Sequence, residues 1–265
     1  MWFIYIFFFI LGTLVGSFLN VVVIRLKKNE SILKTRSHCP YCKKKLKWFE
    51  LIPIISFFIQ KGRCRKCKKK ISWQYPLVEF FTGLIFILSV FYYLNYFSLY
   101  NLINFFYLLV FSCFLLVIFV YDLKYSLVSD KVVYPAVIIT ILYDIYLAVA
   151  TGRFSILTSS FAASLVLGGF FLFLVLISKE KWMGMGDVKI GFLLGLFFGP
   201  LQLFAAVFLA FLFGALISLV LIIFKKKTLK SEIPFGPFLT GASFIIIFWG
   251  SYLIDWYFNI FLHSL

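Results

Sequence analysis

Apolar runs of about twenty residues recur along almost the whole chain, separated by short polar connections, and each is long enough to cross a hydrocarbon core about 30 Å thick. At 63% apolar residues, the chain lies far above the roughly 45–50% of soluble domains. The pattern predicts an all-α polytopic membrane protein with about eight transmembrane helices, at 2–24, 76–97, 103–121, 132–149, 155–178, 188–199, 201–224 and 237–260. The sixth stretch is short and ends at Gly199-Pro200, so it reads as a half-helix or a tilted segment whose backbone protein or a water-filled cavity must shield. The first run has no basic segment before it and continues for about 23 residues to Arg25, so it is expected to be a retained span and not a cleaved signal. Its Gly12 and Gly16 form a small-residue face suited to close helix packing.

Charge gives the orientation. With eight spans and the N-terminus outside, 25 of the 26 Lys and Arg fall in the loops of one face, leaving Arg153 on the other. Short basic loops mark the cytoplasmic side. The net charge of +16 is then a polybasic surface attracted to anionic lipid head groups, at roughly 1 kcal/mol per residue. Nucleic acid is not expected as a partner, because no recognition module accompanies the basic residues.

Three parts follow: the first helix (1–24), a cytoplasmic insert (25–75) and a membrane-embedded domain (76–265). The insert holds four of the five cysteines, as Cys39-Pro40-Tyr41-Cys42 and Cys64-Arg65-Lys66-Cys67 with 21 residues between the pairs. Paired C-x2-C knuckles predict zinc, since four thiolates close a tetrahedral site with no open position. A segment this small needs such a staple. Disulfides are the competing arrangement, which a reducing cytosol disfavours. His38 borders a site that four cysteines already fill, and Cys113 lies mid-span as a small apolar residue. The apolar stretch Leu51–Ile59 is too short to span, and is either the core of the insert or an interfacial segment.

Two carboxylates stand out. Asp122 closes the third span, and Asp187 opens the sixth within Gly184-Met185-Gly186-Asp187. Ionisable groups at membrane depth are expensive and point to function. In the topology above both lie at the cytoplasmic edge, where two close carboxylates would share one proton. One could then activate water while the other protonates a scissile carbonyl, the chemistry of an intramembrane aspartyl protease. Gly184 and Gly186 are expected to allow unusual backbone angles and close approach, with Asp187 in the first turn of its helix. Asp130 is the rival carboxylate, but its position before the fourth span suits an N-cap. Glu79 is expected to pair with a basic residue of the insert or to orient substrate. Asp144 and Asp255 fall toward the opposite face.

The chain resembles the bacterial type IV prepilin peptidases, part of the GxGD intramembrane aspartyl proteases. The matching pieces are Gly16-Ser17-Phe18-Leu19-Asn20-Val21-Val22, both cysteine knuckles, Ile71-Ser72-Trp73-Gln74-Tyr75-Pro76-Leu77-Val78-Glu79, Asp122 followed by Asp130, Gly184–Asp187, and Ile233-Pro234-Phe235-Gly236-Pro237. The GxGD element is also similar to that of presenilin and signal peptide peptidase. The resemblance implies that Asp122 and Asp187 are the catalytic pair and that the substrates are prepilins or pseudopilins of type IV pili or type II secretion. Their short basic leader would be removed at the cytoplasmic face of the bacterial inner membrane. It also implies N-methylation of the new terminus with S-adenosylmethionine, although no glycine-rich nucleotide-binding unit is present. Ser129 stands where the family often has proline. The 234–237 string is either a substrate-docking element or ordinary punctuation before a helix. A transporter or an assembly scaffold with a zinc-stapled loop is the competing class. Against a transporter, the chain has no internal repeat, and both aspartates sit at one edge, not the midplane. The sequence leaves the oligomeric state and the particular pilin open.

Overall fold

The structure is a computed structural model that describes residues 2–31, 36–93, 98–225 and 233–262. Lys34, Lys226, Lys227 and Lys230 of the basic loops, and positions 94–97 at the end of the expected second span, lie outside the described residues. The described residues form helices α1 (Trp2–Lys28), α2 (Ile55–Ile59), α3 (Gln74–Tyr93), α4 (Leu99–Tyr125), α5 (Asp130–Thr151), α6 (Ser155–Ser178), α7 (Met185–Ile223) and α8 (Gly236–Leu262), with a 3-10 turn at Trp48–Glu50. Seven of them, all but α2, are long and apolar enough to cross a membrane. The chain divides into two compact units, Met1–Val117 and Ile118–Leu265.

In the first unit α1 packs on α3 through the glycine face expected from the sequence. A methyl group on Gly12 would stand 2.8 Å from the Gly83 Cα, and one on Gly16 would stand 2.8 Å from the Glu79 Cα. Only small residues permit backbones to approach so closely. Phe86, Val90, Phe105 and Leu109 form a buried cluster against which Tyr5, Phe8 and Cys113 pack. The Asn20 amide donates to the Tyr75 carbonyl at 3.2 Å and accepts from Gln74 at 3.2 Å. These bonds tie α1 to the start of α3 with polar groups that lipid could not satisfy.

The second unit reconciles seven helices with eight stretches. Helix α7 has 39 residues and one non-helical residue, Gly199 (φ 66°, ψ −178°), followed by Pro200. Ile190 and Phe211 lie 21 residues apart, which along one straight helix is about 31 Å. Yet a methyl on Gly236 would sit 3.0 Å from Ile190 Cδ1, and the neighbouring Phe235 ring lies 4.8 Å from that of Phe211. The two arms therefore turn back on one another at Gly199-Pro200. The left-handed φ and the missing proline N–H both break the helix there.

Helix ends run past the apolar limits read from the sequence. Asp122 was expected to close its helix, but α4 continues to Tyr125 and stops at Ser126, whose left-handed φ of 51° ends the helical path. Asp122 thus sits a turn inside the helix. Helix α6 packs on the first arm of α7, with Gly195 against the Ser164 backbone and the Ser164 hydroxyl donating to the Phe192 carbonyl at 2.9 Å.

Candidate active site

Three helix ends build the site. Asp187 is the third residue of α7, and its carboxylate accepts the backbone N–H of Gly184, the residue that caps the helix. This is the reach-back arm of a capping box. The same carboxylate accepts a second N–H, from Gly236 at the first position of α8. That amide is one of the donors every helix start leaves unpaired. Asp122 stands on the other side of Gly236, its Oδ2 pressed against the place where a side chain would begin. Both aspartates are buried, and their charges interact. The structure therefore brings the two predicted carboxylates together around Gly236.

The glycines of the GxGD string meet the expectation of close approach but not that of unusual backbone angles. Gly184 has φ −88° and ψ 159°, extended angles open to any residue, and Gly186 is helical. What Gly186 supplies is proximity, since a methyl there would stand 2.6 Å from Val128 Cγ2. The short link after α4 therefore lies directly on the start of α7, which holds the two aspartate-bearing ends together.

The remaining acidic residues separate from this pair. Asp130 begins α5, half-exposed, and its carboxylate accepts from the Lys189 ammonium. Glu79 is bonded to the insert through the Ile54 amide at 2.7 Å and accepts from Ser17, so its insert partner is backbone and not a basic side chain. Asp144 is buried beside Ser160, and Asp255 is exposed on α8.

In the first unit, the sulfurs of Cys39, Cys42, Cys64 and Cys67 all lie within 4.8 Å of one another, and the four residues could hold a metal ion. All are free thiols. Cys39 Sγ and Cys67 Sγ are 3.8 Å apart, far beyond a disulfide. That is close to the ~3.8 Å edge of a tetrahedron with metal–sulfur bonds of about 2.3 Å. The knuckles are built alike, with Cys39 N–H to Lys44 O and Lys43 N–H to Cys39 O in one, and Cys64 N–H to Lys69 O and Lys68 N–H to Cys64 O in the other. Backbone amides of Cys67 and Lys66 draw the Cys64 thiol down to about 6. Cys67 is held at about 11, because burial and bonds with the other thiols outweigh the lowering by the Lys69 amide. Four crowded thiols cannot all ionise without a cation among them, so the donor set fits a metal such as zinc.

Gly236 lies in the 234–237 string noted in the sequence, where its place against the carboxylates was not foreseen. Its φ is not left-handed, so no turn rule demands glycine, and only the crowding of Asp122 and Ile190, both distant in sequence, explains it.

These features define an all-helical polytopic membrane protein with a four-cysteine insert and a carboxylate pair gathered at buried helix ends. Residues 10–93 match the Bacterial Peptidase A24 N-terminal domain, and residues 109–219 match the Type IV leader peptidase family. A prepilin leader peptidase/N-methyltransferase of Xanthomonas campestris pv. campestris is 30% identical over 93% of this chain and 92% of its own length. One from Bacillus subtilis is 30% identical over 94% and 96%, and one from Legionella pneumophila is 26% identical over 97% and 95%. No solved structure matches. The chain belongs to the type IV leader peptidase family and is a peptidase of the membrane.

Proposed function

We propose that this enzyme removes the short basic leader of prepilins or pseudopilins at the cytoplasmic face of the bacterial inner membrane, with Asp122 and Asp187 as its catalytic pair in the domain 76–265. The observation that carries this reading is the meeting of both carboxylates around Gly236. The positive ends of α7 and α8 both face Asp187, with two backbone N–H groups, whereas Asp122 lies near the negative end of α4. Helix dipoles and amide donors favour charge at such N-terminal positions. The shared negative charge therefore rests on Asp187, which takes a proton from the attacking water. Asp122 holds the proton that is given to the scissile carbonyl oxygen. On collapse of the gem-diol Asp122 takes a proton back from a hydroxyl, while Asp187 hands the proton it took from water to the leaving amine nitrogen, which breaks the C–N bond and restores both carboxyls.

The freed N-terminus is then N-methylated, as the names of the relatives suggest, with S-adenosylmethionine supplying the methyl group. Cys39, Cys42, Cys64 and Cys67 would hold Zn2+ in a closed, structural site that takes no part in peptide hydrolysis. The side of the membrane rests on the charge asymmetry. Incubating purified enzyme with prepilin, with and without S-adenosylmethionine, and weighing the products tests the reading. Leader loss, followed by a methyl increment only with the cofactor, is expected. Leader loss catalysed equally by Asp122→Asn or Asp187→Asn would refute the assignment of the pair.

A further inference from the structure

The insert exposes an apolar face that water should not be expected to cover. On and around α2, Leu51, Ile55, Phe58 and Ile59 are exposed, Ile59 to 65%, while only Phe57 of this helix turns inward. Trp73, also exposed, packs on the Phe57 ring at 4.9 Å and on Phe58 at 6.3 Å. These side chains form one continuous edge. They are not a core left open by chance, because Phe57 already closes the interior over Gly62.

The depth of this edge is fixed by one hydrogen bond. The Ile54 amide donates to Glu79 Oε2 at 2.7 Å, and Glu79 is five residues into α3, about 7–8 Å along its axis. Ile54 adopts φ 60°, ψ −57°, an outlier for a β-branched residue that persists only where its surroundings hold it. The start of α2 is thus clamped beside the first turns of a spanning helix. Leu77, Phe80 and Phe81 of those turns are themselves exposed apolar side chains on the same spanning helix. Interfacial helices bury their apolar face about 5–10 Å into the head-group and acyl boundary. A clamp on the second turn of α3 keeps α2 close enough to the start of that helix for such a placement.

Charge names the lipid. The chain from 60 to 70, directly after α2, carries seven Lys and Arg and no acidic residue, and Lys61 and Arg63 are exposed beside the apolar edge. Tryptophan and basic side chains belong at this level, one with its ring at the head groups and the other with its charge on their phosphates. We infer that α2 and Trp73 form a monotopic anchor, which holds the four-cysteine insert down in the interface of a membrane containing anionic phospholipid. This inference does not depend on the identity of the catalytic pair.

Photo-crosslinking tests it directly. The full-length protein, with p-benzoylphenylalanine in place of Phe58 or, separately, of Ile59, is reconstituted in vesicles of phosphatidylethanolamine and phosphatidylglycerol. After irradiation, adducts are identified by mass. Both positions are exposed, and metal content of one ion per chain checks that the insert has folded. Adducts to phospholipid acyl chains are expected, with phosphatidylglycerol at least about twofold above its mole fraction. Crosslinks to a second copy of the chain, crosslinks to an added prepilin, or no lipid adduct would each overturn the anchor. Acyl adducts that follow bulk composition would overturn its preference for anionic lipid.

Discussion

Replacing Gly236 by alanine tests the geometry of the site more sharply than removing a carboxylate. The added methyl would overlap Asp122 Oδ2, and would stand 3.3 Å from Asp122 Cγ and 3.0 Å from Ile190 Cδ1. Ile190 and Leu239 are fully buried neighbours in this region, so the backbone of α8 has little room to retreat. The Asp122 side chain is the part that can turn, and restoring ordinary contact moves its carboxylate by about 1 Å. A displacement of that size costs on the order of 10²-fold in rate, or about 2.7 kcal/mol of barrier. Overpacking itself costs about 1–3 kcal/mol of stability. Leader cleavage should therefore fall about a hundredfold in kcat/KM, in a protein that still enters the membrane and melts only a few degrees lower. Gly169→Ala is the control, because nothing lies within 4 Å of the new methyl, and it should cleave at the normal rate. Cleavage by Gly236→Ala within about twofold of the unmodified enzyme would refute the close packing of Gly236 on Asp122.

Asp122→Asn and Asp187→Asn should each abolish cleavage while leaving the fold intact. Asp130→Asn should keep most activity, since it loses only a half-exposed ion pair with Lys189, worth about 0.2–1 kcal/mol. Purified protein should contain one zinc per chain by metal analysis, and any one of Cys39, Cys42, Cys64 or Cys67 changed to Ser should lower that content and open the insert to proteolysis. Glu50 is buried, accepts from the Lys47 amide at 2.9 Å and pairs with Lys44 at 2.9 Å. The Lys47 amide, then Lys44, holds its carboxyl below the ordinary 4.5. A lowered folded-state value means stability present above about 4.5 and lost as pH falls through the lower, folded value. Glu50→Gln should therefore loosen the insert at neutral pH, and the difference in hydrogen exchange from the unmodified protein should vanish in acid.

Much of this protein was readable from local chemistry. Apolar runs near twenty residues force spanning helices, because a backbone in lipid has no other way to pair its amides. Two C-x2-C knuckles announce a four-thiol cluster because the spacing lies within each turn. The Gly12 and Gly16 face was also legible, since both glycines share one side of one helix. What lay between distant segments was not. The sequence nominated Asp122 and Asp187 as a pair with Asp130 as the rival, but the contacts that separate them, Asp130 drawn to Lys189 and the other two meeting around Gly236, come from the structure. The structure also showed how α7 turns back at Gly199, where the eight-span reading had two successive stretches, through one left-handed residue before Pro200. Gly236 shows the reason most plainly. Its angles are open to any residue, so nothing local asks for glycine there. The requirement comes from Asp122 on α4 and Ile190 on α7, which reach it through space across a chain separation of 114 and 46 residues.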